Sequence, residues 1–285
     1  AVAEVRYADG AERYLVPFVP GRADTFVEPE PSAPFWVDLA EAVLGGRELA
    51  GVAGSFVASV GPGAGAPTGP GRALSDDQSN TSVVLGEQLV LKCYRRLEQG
   101  LHPEPEALAA LARVGSEVSA PWRATLTHRD DDGEAAVALL YGFVPGAPVG
   151  WEPIIEGVCA TLRGGSPTGL LDDASLLGST TATLHRSLAE AFGTLRADDA
   201  LARRLHAAAH ERLDAAGLDA GARAVAAERL DGVLRIGGSP IGRVHGDLHV
   251  AQFVRSADRL VVVDFEGEPH VPLAGRRALD SPLRD

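Results

Sequence analysis

Asp247 and Asp264, a carboxamide and two histidines lie close together between residues 245 and 264. The stretch His245-Gly-Asp-Leu-His-Val-Ala-Gln252 places Asp247 five residues before Gln252, and Asp264 opens the later stretch Asp-Phe-Glu-Gly-Glu-Pro. Carboxylate and amide oxygens are suited to accepting a proton and to binding a hard cation such as Mg²⁺. The residue types and their spacing therefore predict a site that combines a base with a metal ion.

The flanking residues predict the elements that hold these side chains. Ile241 to Val244 is an apolar lead-in, and Leu260 to Val263 is a short β-branched run typical of a buried strand. Functional loops are commonly held by such rigid strands. We therefore expect Asp247, Gln252 and Asp264 to meet at the mouth of one hairpin-like unit.

The spacing resembles the catalytic loop and the metal loop of the protein kinase-like superfamily. There an Asp is the base, a carboxamide five residues later binds metal, and a second Asp opens a D-F-x motif. Here the motifs are H-G-D followed by Gln252, and D-F-E, which are more similar to small-molecule kinases related to aminoglycoside phosphotransferases than to protein kinases. The tail from Asp264 to the closing Ser-Pro-Leu-Arg-Asp285 resembles the bacterial maltokinases, which make maltose 1-phosphate from maltose and ATP.

This resemblance implies a role for each residue of the stretch. Asp247 is the expected base, Gln252 and Asp264 are the expected Mg²⁺ ligands, and ATP is the expected phosphoryl donor. Glu266 and His249 are the expected contacts to the sugar, and Glu266 is also a candidate ligand for a second metal ion.

A lysine and a helix-borne glutamate are expected beside the nucleotide. Lys92 lies in the apolar run Leu-Val-Leu-Lys-Cys-Tyr, just after a hairpin with Gly in its loop, and the resemblance implies that it pairs with the α- and β-phosphates. A lysine in such a strand requires an ionic partner. Glu106, one turn into the helix that begins at Pro103, is the expected partner, with Glu104 as the runner-up.

The other nucleotide contacts are expected in two further segments. The run Asp77-Gln-Ser-Asn-Thr-Ser82 has no G-x-G-x-x-G pattern, but in the maltokinase form its hydroxyl and amide groups would face phosphate. The segment 141–144, before the linker Pro145-Gly-Ala-Pro148, is the expected hinge, whose backbone would bind adenine. The expected ATP-binding residues of these segments are Ser79, Asn80, Thr81, Tyr141, Phe143 and Val144.

The order of elements predicts an α+β protein with a bilobal, protein kinase-like fold. Residues 1–70 are expected to form an N-terminal cap subdomain and linker, 71–147 a β-rich N-lobe with the hinge, and 148–285 a helical C-lobe. Kinase-like folds normally continue for several more helices, and the sequence contains no Met. We therefore expect that the C-terminal part of the C-lobe is missing from this chain.

The composition limits the classes of partner. Lys and Arg number 26 against 39 Asp and Glu, a formal net charge of −13, so non-specific binding to nucleic acid or anionic membranes is not expected. No apolar run approaches the roughly 18 residues of a membrane span, and no signal peptide is recognised. With only two cysteines, no disulfide framework is expected. We expect a cytoplasmic enzyme that gathers cations locally to handle ATP.

Together these observations predict an ATP- and Mg²⁺-dependent maltokinase, with maltose as its small-molecule substrate and an implied link to enzymes of trehalose and α-glucan metabolism. Three alternatives remain open. The chain could be a kinase of another sugar, of an amino sugar such as glucosamine or of an aminoglycoside, although no acidic contacts for a substrate amine are evident. It could be a non-catalytic pseudokinase scaffold, which would have no use for Asp247, Gln252, Asp264 and Lys92 together. It could also be a metal-dependent hydrolase that uses His245 and His249.

Overall fold

The computed structural model describes residues 1–8, 10–22, 25–63, 65–74, 80–257 and 259–285. The strands are β1 (Val2–Tyr7), β2 (Gly10–Leu15), β3 (Val19–Pro20), β4 (Phe26–Val27), β5 (Leu49–Ala50), β6 (Ser55–Val60), β7 (Gly71–Ala73), β8 (Thr81–Leu85), β9 (Leu89–Cys93), β10 (Arg96–Leu97), β11 (Trp122–Asp130), β12 (Gly133–Gly142), β13 (Ala147–Pro148), β14 (Thr194–Arg196), β15 (Pro240–Gly242), β16 (Phe253–Ser256) and β17 (Arg259–Val262). The helices are α1 (Pro34–Leu44), α2 (Pro103–Arg113), α3 (Trp151–Leu162), α4 (Thr168–Phe192), α5 (Asp199–Ala215), α6 (Ala220–Leu230) and α7 (Leu273–Arg276). Short 3-10 turns cover Asp231–Ile236, Val250–Gln252 and Pro282–Arg284.

A seven-stranded sheet in the order β5-β6-β11-β12-β9-β8-β7 dominates the first half of the chain. Its neighbouring strands all pair antiparallel. β8 and β9 form the predicted hairpin around Gly86, whose φ of 58° lies in the left-handed region that favours glycine. β5 and β6 come from the segment expected as a cap and extend this same sheet. β1 and β2 form an antiparallel hairpin in a separate small sheet with β10. Alternating apolar residues on both sides of Asp9-Gly10 predict this hairpin, and Asp9 itself lies outside the described residues.

The first core lies where α1 packs against one face of the sheet. Trp36 of α1 is fully buried, and its indole nitrogen donates to the Glu30 carbonyl (2.9 Å). Burying a large apolar side chain stabilises a fold by about 1.5–3 kcal/mol. Its sheet neighbours recur at every second residue, which is the spacing of one strand face. They include Val83, Leu85, Leu91 and Leu140.

The second core joins the other face of the sheet to α2, α4 and the hairpin formed by β16 and β17. Leu184 and Leu188 of α4, which recur at helical spacing in the sequence, are fully buried. They belong to one cluster with Leu139 of β12 and Val262 of β17. Because the loop that carries Asp247 precedes β16, and Asp264 follows β17, this core sets the position of both.

The arrangement agrees with the predicted α+β organisation of a β-sheet lobe followed by helices. The helical character predicted for residues 151–235 is confirmed by α3 to α6. The expectation that a C-terminal part is missing is not confirmed. Within the described ranges, no helix combines the length and the apolar character needed to cross a membrane.

Candidate active site

A cavity of about 640 Å³ opens between the sheet and the segment 251–266. β9 lines it with alternate residues, since Leu91 and Cys93 belong to the first core while Val90 and Lys92 face the cavity. The predicted site residues that line it are Asn80, Lys92, Tyr141, Phe143, Val144, Gln252, Asp264 and Glu266. The fold thus brings the predicted lysine, hinge and metal ligands into one cavity.

Lys92 lies at the centre of this site and is 8% exposed. Its ammonium nitrogen lies 2.9 Å from Glu104 Oε2, 3.1 Å from Asp264 Oδ1 and 2.6 Å from Glu266 Oε1. The Tyr94 hydroxyl also donates to Glu104 Oε2 (2.8 Å). One ammonium is therefore shared among three carboxylates, which leaves an excess of negative charge in the cavity.

The helix-borne partner of Lys92 is Glu104, and the structure corrects the expectation that it is Glu106. Residues two apart on a helix point about 200° apart, so only one of these two side chains can face the cavity. Glu106 faces the opposite way and accepts hydrogen bonds from Arg243 (2.7 Å) and from Arg277 (2.8 Å). Glu106 therefore joins α2 to the segment in front of the Asp247 loop.

Burial and charge act against each other in the lysine cluster. Burial alone would lower the pKa of Lys92, but the carboxylates of Glu104, Asp264 and Glu266 raise it well above its usual value. Burial raises the pKa of Glu104, with Lys92 opposing the change. Burial would also raise the pKa of Asp264, but Lys92 and the hydrogen bond from Gln252 hold it below its usual value. Lys92 thus remains an ammonium in the cavity.

The group of carboxylates around Lys92 fits a divalent cation. One oxygen each of Glu104, Asp264 and Glu266 lies within 4.8 Å of the others, and all-oxygen donor sets are those that Mg²⁺ prefers. The Gln252 amide donates to Asp264 Oδ2 (3.1 Å), and its nitrogen lies 3.4 Å from His249 Nε2. Because the NH₂ group faces these two partners, the amide oxygen of Gln252 is left to accept a cation.

Asp264 reaches the cavity from an unusual backbone conformation. Its φ of 65° lies in the left-handed region, which costs a non-glycine residue roughly 1–2 kcal/mol. The following residue, Phe265, is buried and packs against the His245 ring at a centroid distance of 4.7 Å. This packing and the contact to Lys92 hold the Asp264 carboxylate in the site.

The loop that carries Asp247 is held from behind by Asp285. The Asp285 carboxylate accepts from the backbone N–H groups of His245 (2.8 Å) and Gly246 (2.7 Å), and it contacts His185 Nε2 (3.0 Å). Burial would raise the pKa of Asp285, but these three partners hold it below its usual value. Asp247 is half-buried, and among the described residues it has no hydrogen-bond or ion-pair partner, so its carboxylate can accept one from a substrate.

His245 itself supports the loop as a neutral ring. Burial lowers its pKa, and its Nε2 lies 3.0 Å from the Val263 carbonyl oxygen. This contact links the start of the loop that carries Asp247 to the end of the strand that precedes Asp264.

The predicted hinge lies at the end of β12 and along the cavity. The Phe143 N–H donates to the Gln88 carbonyl (2.8 Å), so this group is not free to bind adenine. Burial raises the pKa of Tyr141, which keeps its hydroxyl protonated. The N–H of Val144 has no partner among the described residues, which makes the backbone of Val144 the candidate contact to adenine.

The side chains expected to face phosphate are partly engaged within the protein. Asn80 Nδ2 donates to Glu266 Oε1 (2.7 Å), and Arg95 Nε donates to Thr81 Oγ1 (2.6 Å). Asn80 lines the cavity, whereas Thr81 does not. The third expected contact, Ser79, lies outside the described residues.

The residues on which the maltokinase resemblance rested make internal contacts. Glu268 contacts Arg212 and Arg284 (3.3 Å each) and His270 (3.0 Å). Asp285, the last residue of the Ser-Pro-Leu-Arg-Asp stretch, holds the loop that carries Asp247. Side chains that fix loops in this way do not report which sugar is bound.

Two contributions to the site were missed by the sequence analysis. Tyr94 could have been found, because it lies two residues after Lys92 and therefore on the same face of the strand. Asp285 carried no such signal, because it bonds the loop from 40 residues farther along the chain. Only the folded chain brings this carboxylate to the N–H groups of His245 and Gly246.

Comparisons with known proteins agree with this geometry. Residues 70–267 match the sequence profile of the phosphotransferase enzyme family. A glucosamine kinase of Streptacidiphilus jiangxiensis is 34% identical over an alignment 297 positions long, gaps included, which covers 99% of this chain and 66% of the relative. A glucosamine kinase of Mycolicibacterium smegmatis (strain ATCC 700084 / mc(2)155) is 32% identical over 217 residues, which cover 72% of this chain and 54% of the relative. The chain thus spans about two thirds of the first relative and about half of the second.

The similar solved structures are also glucosamine kinases. A glucosamine kinase in complex with glucosamine, ADP and inorganic phosphate superposes with a TM-score of 0.74 at 29% identity, over 99% of this chain and 67% of that chain. A second crystal form of a glucosamine kinase also has a TM-score of 0.74, at 31% identity and with the same coverage.

These comparisons overturn the maltose specificity predicted from the tail. Each relative named above is a glucosamine kinase, which was the predicted alternative. The physical reason for the error is that Glu268 and Asp285 bond other parts of the protein and hold loops in place. Their presence in the sequence therefore gives no information on which sugar accepts the phosphoryl group. The implied link to trehalose and α-glucan enzymes has no support either.

Proposed function

Because the chain belongs to the phosphotransferase enzyme family, we propose that it transfers a phosphoryl group from ATP to a hydroxyl of an amino sugar, with glucosamine as the acceptor. The observation that carries this proposal is the likeness to glucosamine kinases along 99% of the chain. The chain spans 66% of the first of these relatives, so the activity of the whole protein is part of the proposal.

Lys92 is the proposed contact to the phosphates of ATP. Its ammonium would exchange Asp264 and Glu266 for phosphate oxygens, while Glu104, 2.9 Å away and buried, keeps it in place. A fixed positive group stabilises the charge on the transferring phosphoryl group without reorganisation. The Tyr94 hydroxyl supports Glu104 in this position.

Asp264 and Gln252 are the proposed ligands of Mg²⁺, with Glu266 as a further candidate. The ion would supply charge neutralisation across the phosphates. Asn80 already orients Glu266, and Gln252 already orients Asp264, so the oxygen donors are arranged before ligands enter. The position of Glu266 on Lys92 favours this role over the sugar contact first expected. His249, also expected at the sugar, lies beside Gln252 and is proposed to orient its amide.

Asp247 is the proposed base. Its carboxylate would accept the proton of the attacking hydroxyl, or orient that hydroxyl toward the phosphoryl group. Asp285 fixes the backbone of the loop from the other side, so Asp247 needs little rearrangement. Positioning of this kind supplies much of the catalysis in phosphoryl transfer.

A positively charged acceptor also suits the charge of this site. Three carboxylates surround one ammonium in the cavity, Asp247 adds a fourth carboxylate on the adjoining loop, and the chain carries a net charge of −13. Such a field raises the local concentration of a cation. Protonated glucosamine would benefit from it, whereas a neutral sugar would not.

The test is coupled ADP release by the full chain with ATP and Mg²⁺, with glucosamine, glucose, maltose or an aminoglycoside as acceptor. We expect turnover with glucosamine, and a loss of at least about 100-fold in Asp247→Asn, the range for removal of a general base. The variant should keep its thermal stability and its affinity for ATP. Turnover confined to another acceptor would reject glucosamine, and turnover equal to wild type in Asp247→Asn would reject Asp247 as the base.

A further inference from the structure

A second group of metal-ligand side chains lies outside the cavity. His206 and His210 are four residues apart on α5, and Asp231 opens the 3-10 turn that follows α6. One ligand atom of each lies within 4.8 Å of the others. Residues four apart share one face of a helix, and two histidines at this spacing bind zinc in helical metal sites.

The two distances from the histidines to Asp231 are close to those of a tetrahedral metal site. His206 Nε2 lies 2.9 Å and His210 Nε2 lies 3.5 Å from the same oxygen, Asp231 Oδ1. Zinc–ligand bonds of about 2.0–2.1 Å in a tetrahedron place the ligand atoms roughly 3.3 Å apart. The two observed distances lie on either side of that value, so small side-chain shifts would suffice to admit an ion.

One of the two histidines lacks a hydrogen bond. His210 Nε2 is shielded from solvent and has no hydrogen-bond partner in the part of the chain that the structure describes. A buried polar nitrogen without a partner costs about 1–3 kcal/mol. His206 bonds the Asp231 carboxylate at 2.9 Å, whereas the contact of His210 to the same oxygen is longer, at 3.5 Å, and does not form a hydrogen bond.

We propose that His206, His210 and Asp231 bind a transition metal ion of the zinc type. Two imidazoles and one carboxylate form a donor set that suits Zn²⁺ and leaves a fourth position for water. The nitrogen ligands make the same set unsuitable for Mg²⁺, which prefers oxygen. Zn²⁺ here and Mg²⁺ at the cavity would therefore occupy different sites.

The proposed ion would join two elements that are separate in sequence. α5 and the 3-10 turn at residues 231–236 would be fixed to each other across α6. Arg212, two residues after His210, contacts Glu268 (3.3 Å) in the loop that follows Asp264. The side chain of Asp231 is 62% exposed, so an ion can enter directly from solvent. Metal binding at this site would stabilise α5, whose Arg212 contacts the loop that follows Asp264.

The test is calorimetric titration of Zn²⁺ into the metal-free full chain in excess Mg²⁺. Wild type is compared with His210→Gln and Asp231→Asn, and with His270→Gln as a matched control, because His270 is an exposed histidine that contacts a different carboxylate. We expect one equivalent to bind wild type and the control, and at least tenfold weaker binding to the two site variants. Zn²⁺ should also raise the Tm of wild type and of the control only.

Two outcomes would overturn the proposal. The first is that wild type takes up no stoichiometric Zn²⁺, and the second is that both site variants bind it as tightly as wild type. Should a site variant fail to fold by circular dichroism, the visible spectrum of the wild-type Co²⁺ complex decides. A tetrahedral spectrum with nitrogen and oxygen ligands supports the site, and an octahedral or absent spectrum rejects it. Because these readouts do not use phosphoryl transfer, they are independent of the proposed kinase function.

Discussion

Glu104 and Glu106 are two residues apart, yet their carboxylates have different tasks. Glu104 is 3% exposed and contacts Lys92 and Tyr94. Glu106 bonds Arg243 and Arg277 on the other side of α2. Substitution of each by its amide changes the charge with little change in shape, so the pair offers a matched comparison between a functional and a structural contact.

Glu104→Gln should reduce activity without unfolding the protein. Lys92 would lose its buried carboxylate partner and keep only Asp264 and Glu266. Its ammonium would then no longer be held in one position relative to the phosphates of ATP. We expect kcat/KM for ATP to fall at least tenfold, about 1.4 kcal/mol. The Tm should stay equal or rise, because burial disfavours the Glu104 carboxylate and raises its pKa. Steady-state kinetics and thermal unfolding of the same preparation test both parts.

Glu106→Gln should show the opposite pattern. Arg243 has a side chain that is 7% exposed, and it would be left without a carboxylate. Removing one member of a buried ion pair costs on the order of 3 kcal/mol, so we expect that loss in urea unfolding, with kcat changed less than about threefold. A large fall in kcat with unchanged stability would show that Glu106 acts on the reaction after all.

His102 should make the protein less stable in acid. Burial lowers its pKa to about 3, while in the unfolded chain the value returns to about 6.5. The unfolded state therefore binds the extra proton, and stability is lost as pH falls from about 6.5 toward 3, with a slope of up to about 1.4 kcal/mol per pH unit. His102→Asn keeps an N-cap acceptor for α2 and should show a shallower fall in urea unfolding between pH 7 and 4. The exposed His270→Asn serves as the control and should keep the wild-type slope.

The loop 245–252 depends on a contact from outside its own hairpin. Asp285→Asn would place an amide NH₂ where one carboxylate oxygen now accepts from His245 or Gly246. We expect kcat to fall at least tenfold and stability to fall by about 1–3 kcal/mol, because one buried N–H loses its acceptor. The Kd for ATP should stay within about twofold of wild type. Equilibrium binding of ATP should be measured beside turnover. A general loss of fold would weaken both ATP binding and turnover, whereas a displaced loop would lower turnover alone.

Local patterns account for what could be predicted of the elements and of the site. The β8–β9 and β11–β12 hairpins follow from short-range alternation and turn residues, and Lys92, Gln252 and Asp264 follow from motif spacing. The choice between Glu104 and Glu106 depends on the rotation of α2 about its axis. That rotation is set by burial of Ala107, Leu108 and Leu111 against distant strands and helices.

Long-range pairing accounts for most of what could not be predicted. No local signal places β6 beside β11, which is why the segment 55–60 was expected in a separate cap. The substrate error has a related cause, since the Asp-Phe-Glu-Gly-Glu-Pro and Ser-Pro-Leu-Arg-Asp stretches were interpreted as specificity. Their carboxylates at Glu268 and Asp285 turned out to bond other parts of the protein.

The net charge of −13 should give the two proposed substrates, ATP and glucosamine, opposite salt dependences. The protein as a whole repels an anionic nucleotide and attracts a protonated amino sugar, and salt screens both effects within a Debye length of about 10 Å at 0.1 M. We expect kcat/KM for the Mg²⁺–ATP complex to rise as KCl increases from low concentration, and kcat/KM for glucosamine to fall. Initial rates with one substrate saturating at a time measure each trend. The same sign for both substrates would show that local contacts outweigh the overall field.

The crowding of Glu104, Asp264 and Glu266 around Lys92 has a consequence for which form of the nucleotide is admitted. An uncomplexed triphosphate would have to enter a cavity lined by more carboxylates than cations, in which Lys92 is held by carboxylates and Arg72 is paired with Glu87. A nucleotide that arrives with its cation removes this repulsion as it binds. On the proposed function, we therefore expect the cavity to discriminate against free ATP, so that an excess of ATP over magnesium acts as a weak competitor rather than as a strong inhibitor.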